Sequence, residues 1–158
     1  MSLDTVTGDL RHAGVRYSLL HHHPTRDALA EAWILELDPS EVAKTVVFAT
    51  RKGHVRAVVA ADARVWRTKL QEVLDEDVWP CSQDELRRSY PEFEPGAVPP
   101  FGGPADAVIV DTAVAGRASV VFEAARNDVS LRMPGSALVE LAGAWVSDIR
   151  EPDSVSST

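Results

Sequence analysis

Apolar positions along this chain recur at two periods, and the period changes at nearly every Gly, Pro or Asp. Leu3 to Ala13 is patterned as a helix that stops before Gly14, and Val15 to His21 as a strand. Ala28, Leu29, Ala32, Trp33 and Leu35 or Glu36 then fall at helical spacing, predicting a helix capped by Thr25 and running to about Leu37. Asp38-Pro39-Ser40-Glu41 opens a short second turn, with Asp38 as cap and Pro39 at the first helical position. Thr45 to Thr50 is a buried-strand run, Arg51-Lys52-Gly53-His54 a hairpin turn, and Val55 to Ala61 the return strand. Trp66 to Leu74 is amphipathic at the helical period. Ser82-Gln83-Asp84-Glu85 is a capping box opening a helix that ends near Ser89. Ala107–Asp111, Ser119–Glu123 and Val129–Met133 are short strands, followed by a helix over Ser136–Ala142 and a last strand over Trp145–Ile149. Hairpins join these strands as often as helical crossovers do. The pattern predicts a single α/β domain with a mixed, largely antiparallel sheet and flanking helices, not a doubly wound one.

The 158 residues suit one domain, placed at 1–149. Residues 150–158 hold Pro152 and four Ser or Thr with little to bury, so they are expected to form a flexible tail. A second concentration of Pro and Gly runs from Pro91 to Pro104. Such a run cannot be helix or central strand, and it is expected to be a long, proline-stiffened loop within the domain. No stretch approaches the roughly 20 apolar residues needed to span a bilayer, and Met1 to Leu10 has no apolar block. No membrane partner is expected. The single cysteine, Cys81, allows no internal disulfide and fits a cytoplasmic setting.

The formal net charge is −8. Coating nucleic acid requires surplus cations, so nonspecific binding is disfavoured and no DNA partner is expected. The charge is nevertheless polarised. Arg11 to Lys69 holds 10 basic and 6 acidic residues, whereas Leu70 to Pro95 holds 2 basic and 8 acidic. This is either solvated faces or a phosphate-facing surface in the first half.

Candidate chemistry is sparse. His21 and His23 share one face of a strand and His22 the other, with no further ligand at a useful spacing, so the trio is expected to bind no metal. Cys81 has no base beside it and is expected to pack as a small apolar residue. Lys44 stands at the head of an apolar strand, where a lysine is costly to bury. It can snorkel, or it can hold a phosphate or polarise a carbonyl. In Glu94 to Gly103, prolines restrict the loop and glycines let main-chain N–H groups approach a ligand. That loop is either a rigid crossover or a set of donors. No nucleophile elbow, phosphate loop or dinucleotide fingerprint is present.

Three blocks agree on one family: His22-His23-Pro24-Thr25 before an Ala-rich helix, Glu41-Val42-Ala43-Lys44-Thr45-Val46-Val47, and Tyr90 to Gly102. Over about residues 16–149 the chain resembles the YbaK/EbsC/ProX-type aminoacyl-tRNA deacylases, the INS-like editing domain. Val129 to Met133 and Val146 to Ile149 resemble that family's ending. The resemblance implies hydrolysis of the ester on a mischarged tRNA, probing its acceptor end. The expected substrates are of the tRNA(Pro) type carrying a small amino acid, with no cofactor and no metal. It implies that Lys44 holds the aminoacylated terminal adenosine and that main-chain amides at Gly96, Ala97 and Val98 meet the aminoacyl carbonyl. It also implies substrate-binding positions at His22, Thr25, Pro99, Phe101, Asn127 and Ser130. Water, oriented by the terminal ribose hydroxyl, would be the nucleophile. Positioning without a covalent step suits a chain lacking a catalytic triad. A second site of this kind is needed because one pocket separates amino acids differing by a methyl only modestly.

The chain departs from its relatives at two places. Glu123, Arg126 and Asn127 replace small or histidine residues in the loop to Asp128, and Glu36 stands where relatives end their first long helix in glycine. Either the substrate differs or the site has become a non-catalytic module that binds tRNA ends, a nucleotide or a protein partner.

Overall fold

The structure, a computed structural model, describes residues 2–94 and 96–152. The chain builds helix α1 (Ser2–Ala13), strand β1 (Ser18–His21), helix α2 (Ala28–Ile34), a 3-10 turn (Pro39–Glu41), the hairpin β2 (Ala43–Thr50) and β3 (Gly53–Ala60), and helix α3 (Arg67–Leu74). Strand β4 (Trp79–Pro80), helix α4 (Gln83–Ser89), strand β5 (Ala107–Asp111), helix α5 (Thr112–Ala115), strands β6 (Val120–Glu123) and β7 (Val129–Met133), helix α6 (Gly135–Ala142) and strand β8 (Trp145–Ser147) complete it.

The strands form two sheets rather than one. A five-stranded sheet has the order β4-β2-β3-β5-β8, antiparallel from β4 to β3 and parallel from β3 to β8. A three-stranded antiparallel sheet has the order β1-β7-β6. Four of the six pairings are antiparallel, as hairpins between short strands favour. One parallel bridge, Val42 to Val121, joins the sheets. Beyond it β2 and β6 run on in the same direction but no longer pair, and the gap between them becomes the cleft described below.

The larger core lies on one face of the five-stranded sheet. It joins Val47, Val58 and Val110 to Phe122 and Leu131 of the smaller sheet, to Val6 and Leu10 of α1 and to Leu138 of α6. A second core beneath α3 gathers Leu70, Phe48, Val55, Val59 and Ile109 on the other face. The central strands are thus covered on both sides, which explains their continuous apolar runs.

Most elements start and stop for local reasons. The Ser82–Glu85 capping box forms, with each side chain meeting the other's main-chain N–H. Asp38 caps the 3-10 turn through Ser40. Helix α2 differs from expectation. Its cap is Asp27, whose carboxylate accepts from the Ala30 N–H at 2.8 Å, because the Thr25 hydroxyl is directed to the Asn127 carbonyl instead. It also ends earlier, at Ile34, where Glu36 turns into the left-handed region.

The Pro/Gly segment is a loop as expected, with no helix or strand from 90 to 106 among the described residues; Pro95 lies outside them. Of the expected tail, Arg150 bridges to Val65 and the Glu151 N–H donates to the Arg64 carbonyl at 2.8 Å, while residues 153–158 lie outside the described ones. Among the described residues no helix is long and apolar enough to cross a membrane.

Candidate active site

Where β2 and β6 part, α2 and the Pro/Gly loop close a small cleft of about 30 Å³. β2 contributes Ala43, Lys44 and Thr45, β6 contributes Phe122 and Glu123, α2 contributes Ala28 and Glu31, and the loop contributes Gly96 and Val98. The space admits a water or a very small side chain. A larger depression of about 720 Å³ lies beside Arg51, Lys52 and Glu76, but it is an open surface of charged side chains with an exposed 3.3 Å Lys52–Glu76 pair.

Lys44 is half-buried and makes no ion pair among the described residues. Burial lowers its pKa, and the neighbouring Arg64 lowers it further against the pull of Asp62 and Asp27. An unpaired ammonium beside a second cation is set to receive an anion.

The loop facing Lys44 is held from behind by a residue that no sequence motif marked. Arg56, in the middle of β3, is 1 % exposed. Its guanidinium donates to the carbonyls of Pro99 at 2.7 Å, Gly102 at 2.7 Å and Pro104 at 3.1 Å, and to the Asp106 carboxylate at 3.0 Å. It also lies 5.1 Å from the centre of the Tyr90 ring, whose hydroxyl donates to Asp106. The signal for it was a charge inside the apolar run Val55-Arg56-Ala57-Val58. Gly96 has φ +85°, which places the loop's main chain at the cleft. The Ala97 N–H donates to the Glu94 carbonyl at 2.9 Å. Of the three amides expected to face a substrate, that leaves those of Gly96 and Val98, which make no hydrogen bond among the described residues.

None of the other expected residues lines the cleft itself, but several touch residues that do or brace the loops around it. Phe101 is buried and packs edge-on against Phe122 at 5.8 Å, and the Pro99 carbonyl serves Arg56. Asn127 binds the Glu94 carboxylate through its main-chain N–H at 3.0 Å, bringing the 123–128 loop against the Pro/Gly loop. The Thr25 N–H donates to the Asn127 carbonyl at 3.0 Å, and the Thr25 side chain sits beside Glu123. His22 does not line the cleft; its Nε2 is 2.8 Å from Ser130 Oγ, and that hydroxyl donates to Glu31.

Sequence reasoning missed Glu31 and took Glu123 only as a change at the rim. Both are buried carboxyls on the cleft wall. Burial pushes Glu31 up to about 7, against the Ser130 hydrogen bond. Burial pushes Glu123 up to about 9, helped by repulsion from Glu31 and Glu94.

The model of the aminoacyl-tRNA editing domain matches residues 22–141. The chain belongs to the aminoacyl-tRNA editing domain family. Its solved neighbours have the same architecture. The hypothetical protein APE2540 superimposes with a TM-score of 0.86 at 26 % identity, covering 93 % of this chain and 99 % of that one. A candidate trans-editing enzyme for prolyl tRNA synthetase gives 0.86 at 23 % identity, covering 96 % and 98 %, which shows a shared fold. A candidate signal transduction protein from Marinobacter aquaeolei VT8 contains the fold within a longer chain, with a TM-score of 0.68, 17 % identity and coverage of 94 % and 30 %. No curated protein matches. In this editing domain the matched segment contains Lys44, Arg56, the Pro/Gly loop and both cleft carboxyls.

Proposed function

We propose that this editing domain, taken as one unit over residues 1–149, hydrolyses the ester joining a small, wrong amino acid to tRNA, with substrates of the tRNA(Pro) type. The observation that supports the reading is that Lys44, Gly96 and Val98 line one cleft of about 30 Å³. An ester hydrolase acting through water must bind the substrate's phosphate, hold the carbonyl and stabilise the oxyanion formed on attack. Lys44, with Arg64 nearby, supplies cations for the terminal adenosine's phosphate. The Gly96 and Val98 amides supply donors for the oxyanion. Water adds to the carbonyl carbon, and the tetrahedral intermediate then collapses by expelling the ribose oxygen, which takes up a proton. The narrowness of the cleft supports a substrate whose aminoacyl side chain is small.

The test is release of amino acid from alanyl-, cysteinyl-, seryl- and threonyl-tRNA by the wild type and Lys44→Ala. At least one substrate should be cleared well above spontaneous hydrolysis. The variant should lose roughly 10²–10³-fold while melting at the same temperature. No turnover on any of them refutes the proposal. The alternative, a binding module, is favoured by the carboxyl that Glu123 places in the cleft. It requires tRNA binding without turnover that survives replacement of Lys44.

A further inference from the structure

Two carboxyl groups stand in the cleft that ester hydrolysis, as described, does not use. Glu31 is 0 % exposed and Glu123 is 7 % exposed. They approach from different elements, α2 and β6, and Ser130 ties them together: it is the register partner of Glu123 and its hydroxyl donates to Glu31 Oε2. His22 holds that hydroxyl from the far side at 2.8 Å. This leaves Glu31 Oε1 and Glu123 Oε2 buried without a hydrogen-bond partner among the described residues. An orphaned buried carboxyl oxygen is costly, and two on the wall of one small cavity mark a place for a donor.

The chemistry of an aminoacyl ester supplies one. Its single cationic group is the α-ammonium, with three N–H donors and no acceptor. The charged groups near the pair are Glu94 and Asp27, both acids, and Lys44 lining the same cleft. Lys44 repels an ammonium, so the cation is confined to the carboxyl side and the ester to the side of the amides. We infer that Glu31 and Glu123 together seat the α-ammonium of the aminoacyl group, so that the site takes esters of amino acids with a free α-amine and rejects N-acylated or deaminated counterparts. This rests on the deacylase reading of the same cleft. Without an ammonium, Glu123 at about 9 is largely protonated near neutral pH and Glu31 at about 7 is about half protonated. Seating an ammonium favours the carboxylate form and releases a proton to solvent. His22 and Ser130 are positioning residues, acting through Glu31.

Amide-linked analogues test the seat without turnover. The probes are 3′-deoxy-3′-(L-alanylamino)adenosine, its N-acetyl derivative and the propionyl compound that lacks the amine, with affinities read by calorimetry. The wild type should bind the free amine at least about 10-fold tighter than either counterpart, the effect expected of one buried charge-assisted contact. Calorimetry in two buffers of different ionisation enthalpy should show proton release for the free amine alone, a readout independent of any variant. Glu31→Gln and Glu123→Gln should each cut the ratio to below about threefold. Equal binding of all three compounds, binding of none, or a ratio that survives both substitutions overturns the inference. A free-amine preference in a protein that hydrolyses no aminoacyl-tRNA supports the seat and overturns the deacylase reading. Hydrolysis of propionyl-tRNA as fast as alanyl-tRNA does the reverse.

Discussion

The guanidinium of Arg56 donates to the Pro99 carbonyl at 2.7 Å, across 43 residues of sequence. One side chain in a central strand therefore holds the loop that carries Gly96 and Val98. Prolines restrict that loop locally, but it is the fork of Arg56, reaching Pro99, Gly102, Pro104 and Asp106, that fixes it against the sheet.

Arg56→Ala should destabilise the protein by about 3–5 kcal/mol, because it leaves Asp106 half-paired and three carbonyls without their donor. Arg56→Lys keeps the charge but not the fork and should fall between. Urea denaturation measures both. A denaturation midpoint for Arg56→Ala within error of the wild type would show that the loop holds itself.

The end of α2 yields a prediction of opposite sign. Glu36 is exposed with φ +56°, while the Leu37 N–H donates to the Ala32 carbonyl at 2.9 Å, which is the arrangement of a helix ending in a left-handed residue. A left-handed conformation costs a non-glycine residue roughly 1–2 kcal/mol. Glu36→Gly removes that strain, and the greater freedom of glycine in the unfolded chain offsets about 0.4–1 kcal/mol of the gain. The variant should be more stable by about 0.5–1 kcal/mol, with a higher melting temperature. A lower one would mean that the Glu36 side chain contributes more than its strain costs.

Much of the fold was legible because local chemistry and tertiary structure agree. β5 and β7 begin and end where the apolar runs do, and the capping box opens α4 where the pattern places it. Lys44 stood out because a lysine heading a run of Val and Phe has to be accounted for. Glu31 did not, because the apolar positions at helical spacing, Ala28, Leu29, Ala32 and Trp33, do not include it. Leu29 and Trp33 are 52 % and 82 % exposed, and the face that packs is Ala28, Glu31 and Ala32. A carboxyl between alanines reads as solvated until its partner is known, and Ser130 lies 99 residues away. The division into two sheets was equally hidden, because strand patterns do not show which strands pair, and among the described residues the two sheets meet at one bridge, between Val42 and Val121.

The buried carboxyls also make stability depend on pH, in a direction that can be worked out. Glu31 titrates at about 7 and Glu123 at about 9 in the folded protein, each up from 4.5, so the folded state binds more protons than the unfolded one over that range. Stability from these groups is therefore full below about pH 4.5 and declines as pH rises, for Glu31 until about 7 and for Glu123 until about 9. Glu94 and Asp27 add to the repulsion felt by Glu123, whereas the Ser130 hydroxyl favours ionised Glu31 and the Thr25 side chain ionised Glu123. Each shift corresponds to a loss on the order of a few kcal/mol across its window. Urea denaturation of the wild type between pH 5 and 9 should show this decline, and the double variant Glu31→Gln, Glu123→Gln should show a much flatter profile. Parallel profiles would mean that water or a rearranged side chain already satisfies the two oxygens, and that the cleft wall is not a pair of protonated acids.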